Sequence, residues 1–294
     1  MITPRRTVDE AAVADHYDDL DRVYREIWGE HVHHGLWNTG RESHQTAVRH
    51  LVERVAEQAR ITGSSRVCGI GCGYGATASH LSSVHGATVT GITLSRTQYE
   101  LAVQRTRPDP RIRIRCGDWL ENRLPDQSFD AAIAIESTEH MSDKPRCFAE
   151  AYRILEPGGR LVVCSWLAGE QPRRWEIRLL LEPVCSEGRL PDLRTPTEQT
   201  RLLEEAGLRV HHYEDLTQNV KRTWTVCIRR SIAKFITDRR IRRYLLSPRH
   251  AARNREFLFA IFRIRLAYET GAMSYGMFTA EKPAVESEPK RPTK

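Results

Sequence analysis

The chain has 294 residues, of which 40% are hydrophobic and 28% are charged, an ordinary composition for a globular protein with one large α/β domain and room for an inserted cap. No run approaches the roughly 18 apolar residues of a transmembrane helix, and the N-terminus lacks the apolar core of a signal peptide. We therefore expect a cytoplasmic protein with no membrane partner. Seven cysteines without a C-x-x-C pair favour reduced thiols over disulfides, and no metal site is predicted.

The net charge of +7 is concentrated in one stretch. Between residues 221 and 256, twelve Lys and Arg face two acidic residues, which leaves a local balance of +10 and about −3 for the remainder. The simplest interpretation is a solvated helix face, and the alternatives are a cap that recognises a carboxylate or a prenyl diphosphate, or contact with RNA. Nucleic acid is not the expected partner, because no added binding module is evident. The aromatic residues of this region suit a cap with an apolar inner wall: Trp224, Phe257, Phe259 and Phe262.

The N-terminal region, 1–60, is predicted to be a helical lid. Apolar spacing indicates helices over 9–28 and 42–59, separated by an aromatic, His-rich loop over 31–37. Tyr17, His33, His34 and Trp37 could close over a ligand and exclude water. The alternative is an aromatic cluster that only holds the first helix on the domain. The first helix is also a candidate contact for a homo-oligomer.

Strands and helices then alternate, which predicts a mostly parallel sheet with helices on both faces. The core is expected over 61–168, 196–219 and 271–281, with a cap insertion over 169–195, a basic helical cap over 220–270 and a disordered tail over 282–294. The expected strands are 66–70, 87–92, 111–116, 129–135, 160–167, 208–215 and 273–279; the expected core helices are 76–84, 96–106, 145–155 and 198–206.

The most informative motif is the run from Arg66 to Gly75, in which an apolar strand breaks into alternating glycines. Gly71, Gly73 and Gly75 allow a ligand to lie against bare backbone, and the following helix offers unpaired N–H groups. The spacing also fits the dinucleotide fingerprint. However, the next strand ends in Thr93 without the Asp or Glu that holds a nicotinamide ribose, which argues against a dehydrogenase.

The order of motifs along the chain, from about residue 15 to residue 282, resembles that of the class I S-adenosylmethionine-dependent methyltransferases. The resemblance is to the small-molecule branch with γ-tocopherol and sarcosine/dimethylglycine methyltransferases and, more distantly, cyclopropane fatty acid synthases. It implies a Rossmann-like seven-stranded sheet whose last strand is antiparallel, S-adenosylmethionine as cofactor, and a methyltransferase. The matching pieces are 34–37, 67–75, 89–95 with Gln98, 117–119, 124–130, 139–141 and 153–160.

The resemblance also implies a cofactor site. The glycine turn would hold the methionine part, the end of the second strand would line the ribose, Asp118 would accept from the adenine amino group, and Trp119 would pack on the ring. Gly69 departs from the family pattern, which has Asp or Glu there. The expected cofactor residues are Tyr17, Gly71, Cys72, Gly73, Gly75, Thr93, Leu94, Ser95, Gln98, Gly117, Asp118, Trp119 and Ile135.

The catalytic candidates are His140, Glu139 and Glu136, which follow the fourth strand at the ligand-binding edge of such sheets. His140 would act as a base or orient the acceptor; alternatively, these residues only satisfy helix ends. His34, Trp37, Trp166 and Trp224 are expected to contact the acceptor.

The predicted function is methyl transfer to a small, largely apolar, specialised metabolite such as an isoprenoid, indole or polyketide, with carbon, oxygen and nitrogen acceptors all open. An RNA methyltransferase that uses the basic segment and a non-catalytic module are the alternatives.

Overall fold

A computed structural model describes residues 1–4, 10–245 and 251–284. The Phe257 side chain and most of the predicted tail, 285–294, lie outside the described set. The seven strands are β1 Arg66–Ile70, β2 Thr88–Thr93, β3 Ile112–Cys116, β4 Phe129–Ile135, β5 Leu155–Ala168, β6 Arg209–Asp215 and β7 Met273–Glu281.

The strands form one sheet in the order β3-β2-β1-β4-β5-β7-β6. β1 to β5 pair in parallel, and β7 runs antiparallel to both β5 and β6. The predicted Rossmann-like sheet with an antiparallel last strand is confirmed. The strand order reverses between β1 and β4, and ligands bind beside the carboxyl ends of the strands at such a switch point.

Helices cover both faces because the central strands are apolar on both sides. One buried cluster joins the sheet to α2 and α3 through residues such as Leu51 and Leu81, and the other joins it to α5 and α8 through Phe148 and Leu203. The core helices are α2 His44–Gln58, α3 Ala76–His85, α4 Arg96–Thr106, α5 Lys144–Ile154 and α8 Pro196–Glu205.

The remaining helices surround the carboxyl edge of the sheet. α1 is tied to α10, since Lys234 Nζ donates to Glu26 Oε2 at 2.8 Å and Arg230 Nη1 donates to the Ile27 carbonyl at 2.9 Å. A buried ion pair, Lys144 to Asp192 at 2.8 Å, fixes the 169–195 insertion to α5. These helices are α1 Glu10–Ile27, α6 Arg174–Glu176, a π-helix Ile177–Leu181, α7 Glu182–Glu187, α9 Thr217–Val220, α10 Arg222–Thr237, α11 Arg239–Leu245 and α12 Ala251–Thr270.

Most bounds agree with the sequence prediction to within one or two residues, and two larger differences have a structural cause. β5 begins at Leu155 because Leu155 already pairs with Phe129, and residues 156–159 form an irregularity before the register resumes at Arg160. Lys282, which was assigned to the tail, is buried, since its Nζ donates to the carbonyls of Tyr152 and Leu155. Among the described ranges, no helix combines the length and apolar character needed to cross a bilayer.

Candidate functional site

A first cavity of about 1230 Å³, a volume that includes its open mouth, lies at the carboxyl edge of β1, β2 and β4. α1 and the loop that follows it form its roof. The sequence-predicted cofactor residues that line it are Tyr17, Gly71, Cys72, Gly73, Thr93, Leu94, Ser95, Gln98, Gly117, Asp118, Trp119 and Ile135.

The glycine turn shapes one wall of this cavity. Gly71 has φ +70°, and a Cβ built there would lie 2.3 Å from the Ser137 Cβ, so only glycine fits. Gly73 has φ +53° with nothing within 4 Å of such a Cβ, which leaves its backbone bare toward a ligand. Gly75 has a different role from the predicted one. It lies outside the cavity lining, caps α3, and allows α4 to approach, since its Cβ would meet that of Ala102 at 3.1 Å.

Polar groups follow β2, where the ribose is expected. Thr93 Oγ1 donates to Gln98 Oε1 at 2.8 Å, and both side chains are buried. Ser95 caps α4 by accepting from the Gln98 N–H at 3.0 Å. Its hydroxyl donates to Asp18 on α1, so the lid helix is joined directly to this wall.

Asp118 and Trp119 form the opposite end of the cavity. Asp118 Oδ1 accepts from the Leu120 N–H at 2.9 Å and caps a 3-10 turn. The buried Trp119 indole donates to the Cys147 carbonyl at 3.1 Å, which fixes its ring. A flat apolar wall beside a carboxylate suits an adenine ring with its amino group.

Gly69 leaves a recess in the floor of the cavity. A Cβ there would make only ordinary contacts, the nearest at 3.5 Å from the Cys72 Cβ. Val89, Ile133 and Ala78 line the cavity beyond it. No carboxylate occupies the place where the family pattern has one.

The roof contains His33, which the sequence suggested as part of a lid, and His31, which it did not single out. His33 Nδ1 lies 2.8 Å from the His34 carbonyl, which only accepts, so this nitrogen carries the hydrogen. His33 Nε2 therefore accepts from His31 Nδ1 at 3.1 Å. Burial lowers the pKa of both rings, to about 2 for His31, so the pair is neutral at physiological pH. The repeated His spacing of 31–34 was the available signal.

A second cavity of about 710 Å³, a volume that again includes open space at its mouth, adjoins the first. Tyr17, Val32, Glu136 and His140 line both cavities and mark their junction. The predicted residues Glu139, Trp166 and Trp224 line the second one. Sequence reasoning had not assigned several of its wall residues to an acceptor site: Tyr24, Trp28, Glu187, Gly188, Leu190, Ala260, Ile261 and Ile264.

Glu136 lies at the junction as a fully hydrogen-bonded carboxylate. Oε1 accepts from the His34 N–H at 2.6 Å and the Tyr275 hydroxyl at 2.8 Å, and Oε2 accepts from His34 Nδ1 at 2.9 Å and the Trp166 indole at 2.8 Å. Burial would raise the pKa of this carboxyl, but His34 outweighs it and lowers the pKa to about 2. Glu136 also has φ +54°, a strained conformation for a non-glycine residue. The network therefore holds a fixed negative charge between the two cavities.

Glu139 has the opposite character. Its Oε1 accepts from the Trp166 N–H at 2.6 Å, and its Oε2 is buried with no hydrogen-bond partner among the described residues. Burial, with the nearby charge of Glu136, raises the pKa of Glu139 to about 8. At neutral pH this side chain is a carboxylic acid whose second oxygen is buried beside the second cavity without a hydrogen-bond partner among the described residues.

His140 is a neutral imidazole that makes a hydrogen bond at each ring nitrogen. Its Nδ1 lies 3.3 Å from the Arg189 carbonyl and so carries the hydrogen, which leaves the Nε2 lone pair to accept from the Tyr17 hydroxyl at 2.9 Å. Burial lowers the pKa of His140 to about 4 and raises that of Tyr17 well above its usual value. Both shifts keep the pair neutral at physiological pH, and the Nε2 lone pair of His140 is its basic site.

Three expectations about the acceptor side are wrong. His34 is buried behind Glu136 and lines neither cavity, and Trp37 is buried against α10 with its indole donating to Thr223 Oγ1 at 3.1 Å. Phe259 and Phe262 point to solvent and do not form the inner wall. The inner face of α12 consists of the residues one or two positions away, Ala260, Ile261 and Ile264.

One group of metal-ligand type occurs among the described residues, away from both cavities. Glu53 on α2 accepts from His80 and, at 3.1 Å, from His85 on α3. These hydrogen bonds already account for the arrangement, in which the side chains join α2 to α3.

The comparisons with known proteins agree with this geometry. Residues 68–163 match the family model of a methyltransferase domain. The chain is 30% identical over 270 residues to the 27-O-demethylrifamycin SV methyltransferase of Amycolatopsis mediterranei. The aligned region covers 91% of this chain and 95% of that protein. The crystal structure of the [4+2]-cyclase SpnF superposes with a TM-score of 0.80 and 25% identity over 97% of this chain and all of that one. The geranyl diphosphate C-methyltransferase of Streptomyces coelicolor, solved with S-adenosyl-L-homocysteine, shares the fold at 19% identity, with a TM-score of 0.68 and 93% and 97% of the chains covered.

The first cavity fits S-adenosylmethionine. Gly73 offers bare backbone for the methionine part, and the fixed Trp119 ring beside Asp118 offers a slot for adenine. Glu136 supplies an anion at the junction, where a cationic sulfur would be stabilised. By sequence, fold and site, the chain belongs to the class I S-adenosylmethionine-dependent methyltransferases.

Proposed function

We propose that the enzyme methylates a hydroxyl group of a small, largely apolar and uncharged acceptor held in the second cavity. The observation that carries the proposal is the junction itself. There the neutral base His140, relayed through Tyr17, faces an aromatic chamber that adjoins the cofactor cavity.

The walls of the second cavity define what it can hold. Trp28, Trp166 and Trp224 supply aromatic faces. The wall also contains three carboxyl groups: the charged Glu136, the protonated Glu139, and Glu187, which is paired with Arg263. No Lys or Arg lies among the described lining residues. A carboxylate or diphosphate acceptor would be buried beside like charge without a cation, which is strongly unfavourable. The anion-recognising cap considered from the sequence is therefore not favoured.

When bound, S-adenosylmethionine supplies a methyl group on a positively charged sulfur. The acceptor oxygen forms its bond to that methyl carbon as the carbon–sulfur bond breaks, and the bonding pair stays on sulfur. An alcohol oxygen becomes reactive only as its proton leaves. Tyr17 takes that proton while passing its own to His140 Nε2, which then carries the positive charge.

Glu139 and Glu136 have different parts in this scheme. Protonated Glu139 donates a hydrogen bond from its free oxygen and orients the acceptor. Glu136 keeps its charge and stabilises positive charge at the junction, first on the donor and then on His140. Alignment of acceptor and methyl group supplies much of the rate, since oriented reactants gain up to roughly 7–11 kcal/mol over free ones.

The related rifamycin enzyme acts on an O-demethylated compound, which makes 27-O-demethylrifamycin SV a first probe acceptor. Purified enzyme with methyl-labelled S-adenosylmethionine, incubated with a panel of uncharged phenols and alcohols and matched carboxylates and amines, should label only hydroxyl compounds. Mass spectrometry should find products one methylene heavier. Label on nitrogen or carbon would contradict the proposal, as would conversion without change of mass, the outcome expected of a cyclase.

Substitution at the base provides a second test. His140→Gln should lower kcat by about 10²–10⁴-fold, the usual range for loss of a general base, while the dissociation constant of S-adenosylhomocysteine stays within about threefold. His212→Gln, on the exposed strand β6, is the matched control and should leave both values unchanged. Equal activity of His140→Gln and wild type would remove His140 from the mechanism.

A further inference from the structure

Two neighbouring helices of the cap expose large apolar side chains. α10 and α12 pack side by side, and Phe259, Phe262 and Leu266 on α12 are 57%, 56% and 47% exposed at three- and four-residue spacing. Such spacing places them on one face of the helix. α10 repeats the pattern with Ile232, Phe235 and Ile236, which are also exposed. We call these six residues the outer apolar surface. Exposed clusters of this kind mark interaction sites more often than isolated apolar residues do.

The outer apolar surface lies one helix away from the acceptor cavity. The opposite face of α12 lines that cavity through Ala260, Ile261 and Ile264. α12 is thus apolar on two faces, and the described residues cover only one of them. A helix that is apolar all round is normally covered on all sides.

Cations border this surface. Arg242 Nη1 donates to the carbonyls of Phe235 at 3.3 Å and Ile236 at 3.1 Å, so its guanidinium lies at the end of the α10 apolar face. Arg239, Arg240 and Arg243 on α11 are exposed. They belong to the segment 221–256, with its local balance of +10. Arginines beside exposed apolar side chains are the composition that binds anionic lipid surfaces, where each cation adds about 1 kcal/mol.

We propose that the outer apolar surface and the α11 arginines dock on an anionic lipid surface. The apolar side chains enter the interface while the guanidinium groups pair with phosphates. Docking of this kind needs no spanning helix, in agreement with the described helices. A second copy of the chain is a less suitable partner, because it would bring one arginine cluster against another. RNA would account for the arginines but not for the exposed Ile232, Ile236 and Leu266.

The test is co-flotation of the full-length protein with vesicles of phosphatidylcholine alone or mixed with phosphatidylglycerol. We expect binding to the mixed vesicles that weakens as salt is raised. Phe262→Glu combined with Leu266→Glu, and separately Arg239→Glu combined with Arg243→Glu, should each reduce bound protein by about tenfold or more. Val84→Glu is the matched control, since Val84 is 60% exposed on α3, away from this surface. Calorimetry with S-adenosylhomocysteine should confirm that every variant is folded.

Three outcomes would overturn the proposal. The first is binding that is absent, or equal on the two vesicle types. The second is a dimer, seen by light scattering, that Phe262→Glu with Leu266→Glu dissociates, which would show that a second copy covers the surface. The third is RNA that binds more tightly than the mixed vesicles and displaces the protein from them. Since none of these substitutions touches either cavity, failure here leaves the proposed methyl transfer intact.

Discussion

Glu136→Gln removes the negative charge at the junction of the cavities while it nearly preserves the size and shape of the side chain. A glutamine has nearly the same size, but its amide nitrogen donates and cannot accept. Each carboxylate oxygen of Glu136 receives two hydrogen bonds, from His34 and Tyr275 on one side and from His34 and Trp166 on the other. Whichever way the amide turns, at least one N–H that can only donate, that of His34 or of the Trp166 indole, loses its acceptor and faces another donor.

The loss of unfolding free energy expected for Glu136→Gln can be worked out in two ways. Losing one or two hydrogen bonds to a charged acceptor costs about 1.5–6 kcal/mol, at 1.5–3 kcal/mol each. The second route is linkage, because a carboxyl with a pKa near 2 in the folded protein and 4.5 ordinarily contributes about 3 kcal/mol. The folded pKa is depressed, so this stabilisation is fully present above about pH 5 and is lost as pH falls toward 2. The two routes overlap near 3 kcal/mol.

Urea unfolding at several pH values measures this difference directly. At pH 7, Glu136→Gln should lower the free energy of unfolding by about 3 kcal/mol, and the gap from wild type should narrow steadily as the pH falls below 4.5. Tyr275→Phe removes a single donor and should cost about 1.5 kcal/mol, which keeps the test usable if the glutamine variant does not fold. Glu57→Gln on the exposed side of α2 is the control and should show no change. A gap at pH 7 that is absent, or that does not depend on pH, would refute the assignment of a buried charge to Glu136.

Three further results are expected. Gly71→Ala should weaken S-adenosylhomocysteine binding at least about a hundredfold or prevent folding, because its Cβ would meet the Ser137 Cβ at 2.3 Å. Gly73→Ala has open space around its Cβ and should lower the free energy of unfolding by only about 1–2 kcal/mol. Calorimetry and urea unfolding distinguish the two variants, and equal effects would contradict the clash. Gly69→Asp should be tolerated, because the nearest contact of its Cβ would be an ordinary 3.5 Å and the recess lies beyond it. The restored acceptor should tighten cofactor binding about tenfold. Weaker binding would show that the recess serves another purpose. The pH profile of kcat/KM should be bell-shaped. It should rise near pH 4, where His140 loses its proton, and fall near pH 8, where Glu139 loses its proton. Glu139→Gln should abolish the fall at high pH, and a fall that is unchanged in this variant would exclude Glu139 as the hydrogen-bond donor.

The cofactor side could be predicted from sequence because its requirements are local. A backbone that must turn sharply and stay bare needs glycine, so Gly71 and Gly73 mark the site directly. Thr93 and Ile135 follow from topology, since the ends of neighbouring parallel strands meet at one edge of the sheet.

The acceptor side could not be predicted in the same way, because it depends on packing between distant segments. Trp37 is turned away from the cavity by Thr223 on α10, 186 residues later. Tyr275 reaches Glu136 only because β7 pairs with β5 in a register that places it opposite Trp166. A shift of one residue would have turned that hydroxyl to the other face.

The inward face of α12 could not be predicted from the sequence either. Its apolar residues occur on all sides, so periodicity gives no indication of which face is inward. The interleaved aromatics suggested Phe259 and Phe262 for the inner wall, whereas the smaller Ala260 and Ile261 lie there. Only the packing of α12 against α7 and α10 decides between the faces.

The central claim is that donor and acceptor occupy separate cavities that meet at Tyr17, Glu136 and His140. A crystal structure with S-adenosylhomocysteine bound tests it most directly. We predict adenine beside Asp118 and Trp119, the amino-acid part against Gly73, and the sulfur at the junction, facing the chamber with Trp166. A sulfur that faces away from that chamber, or an adenine ring inside it, would contradict the account.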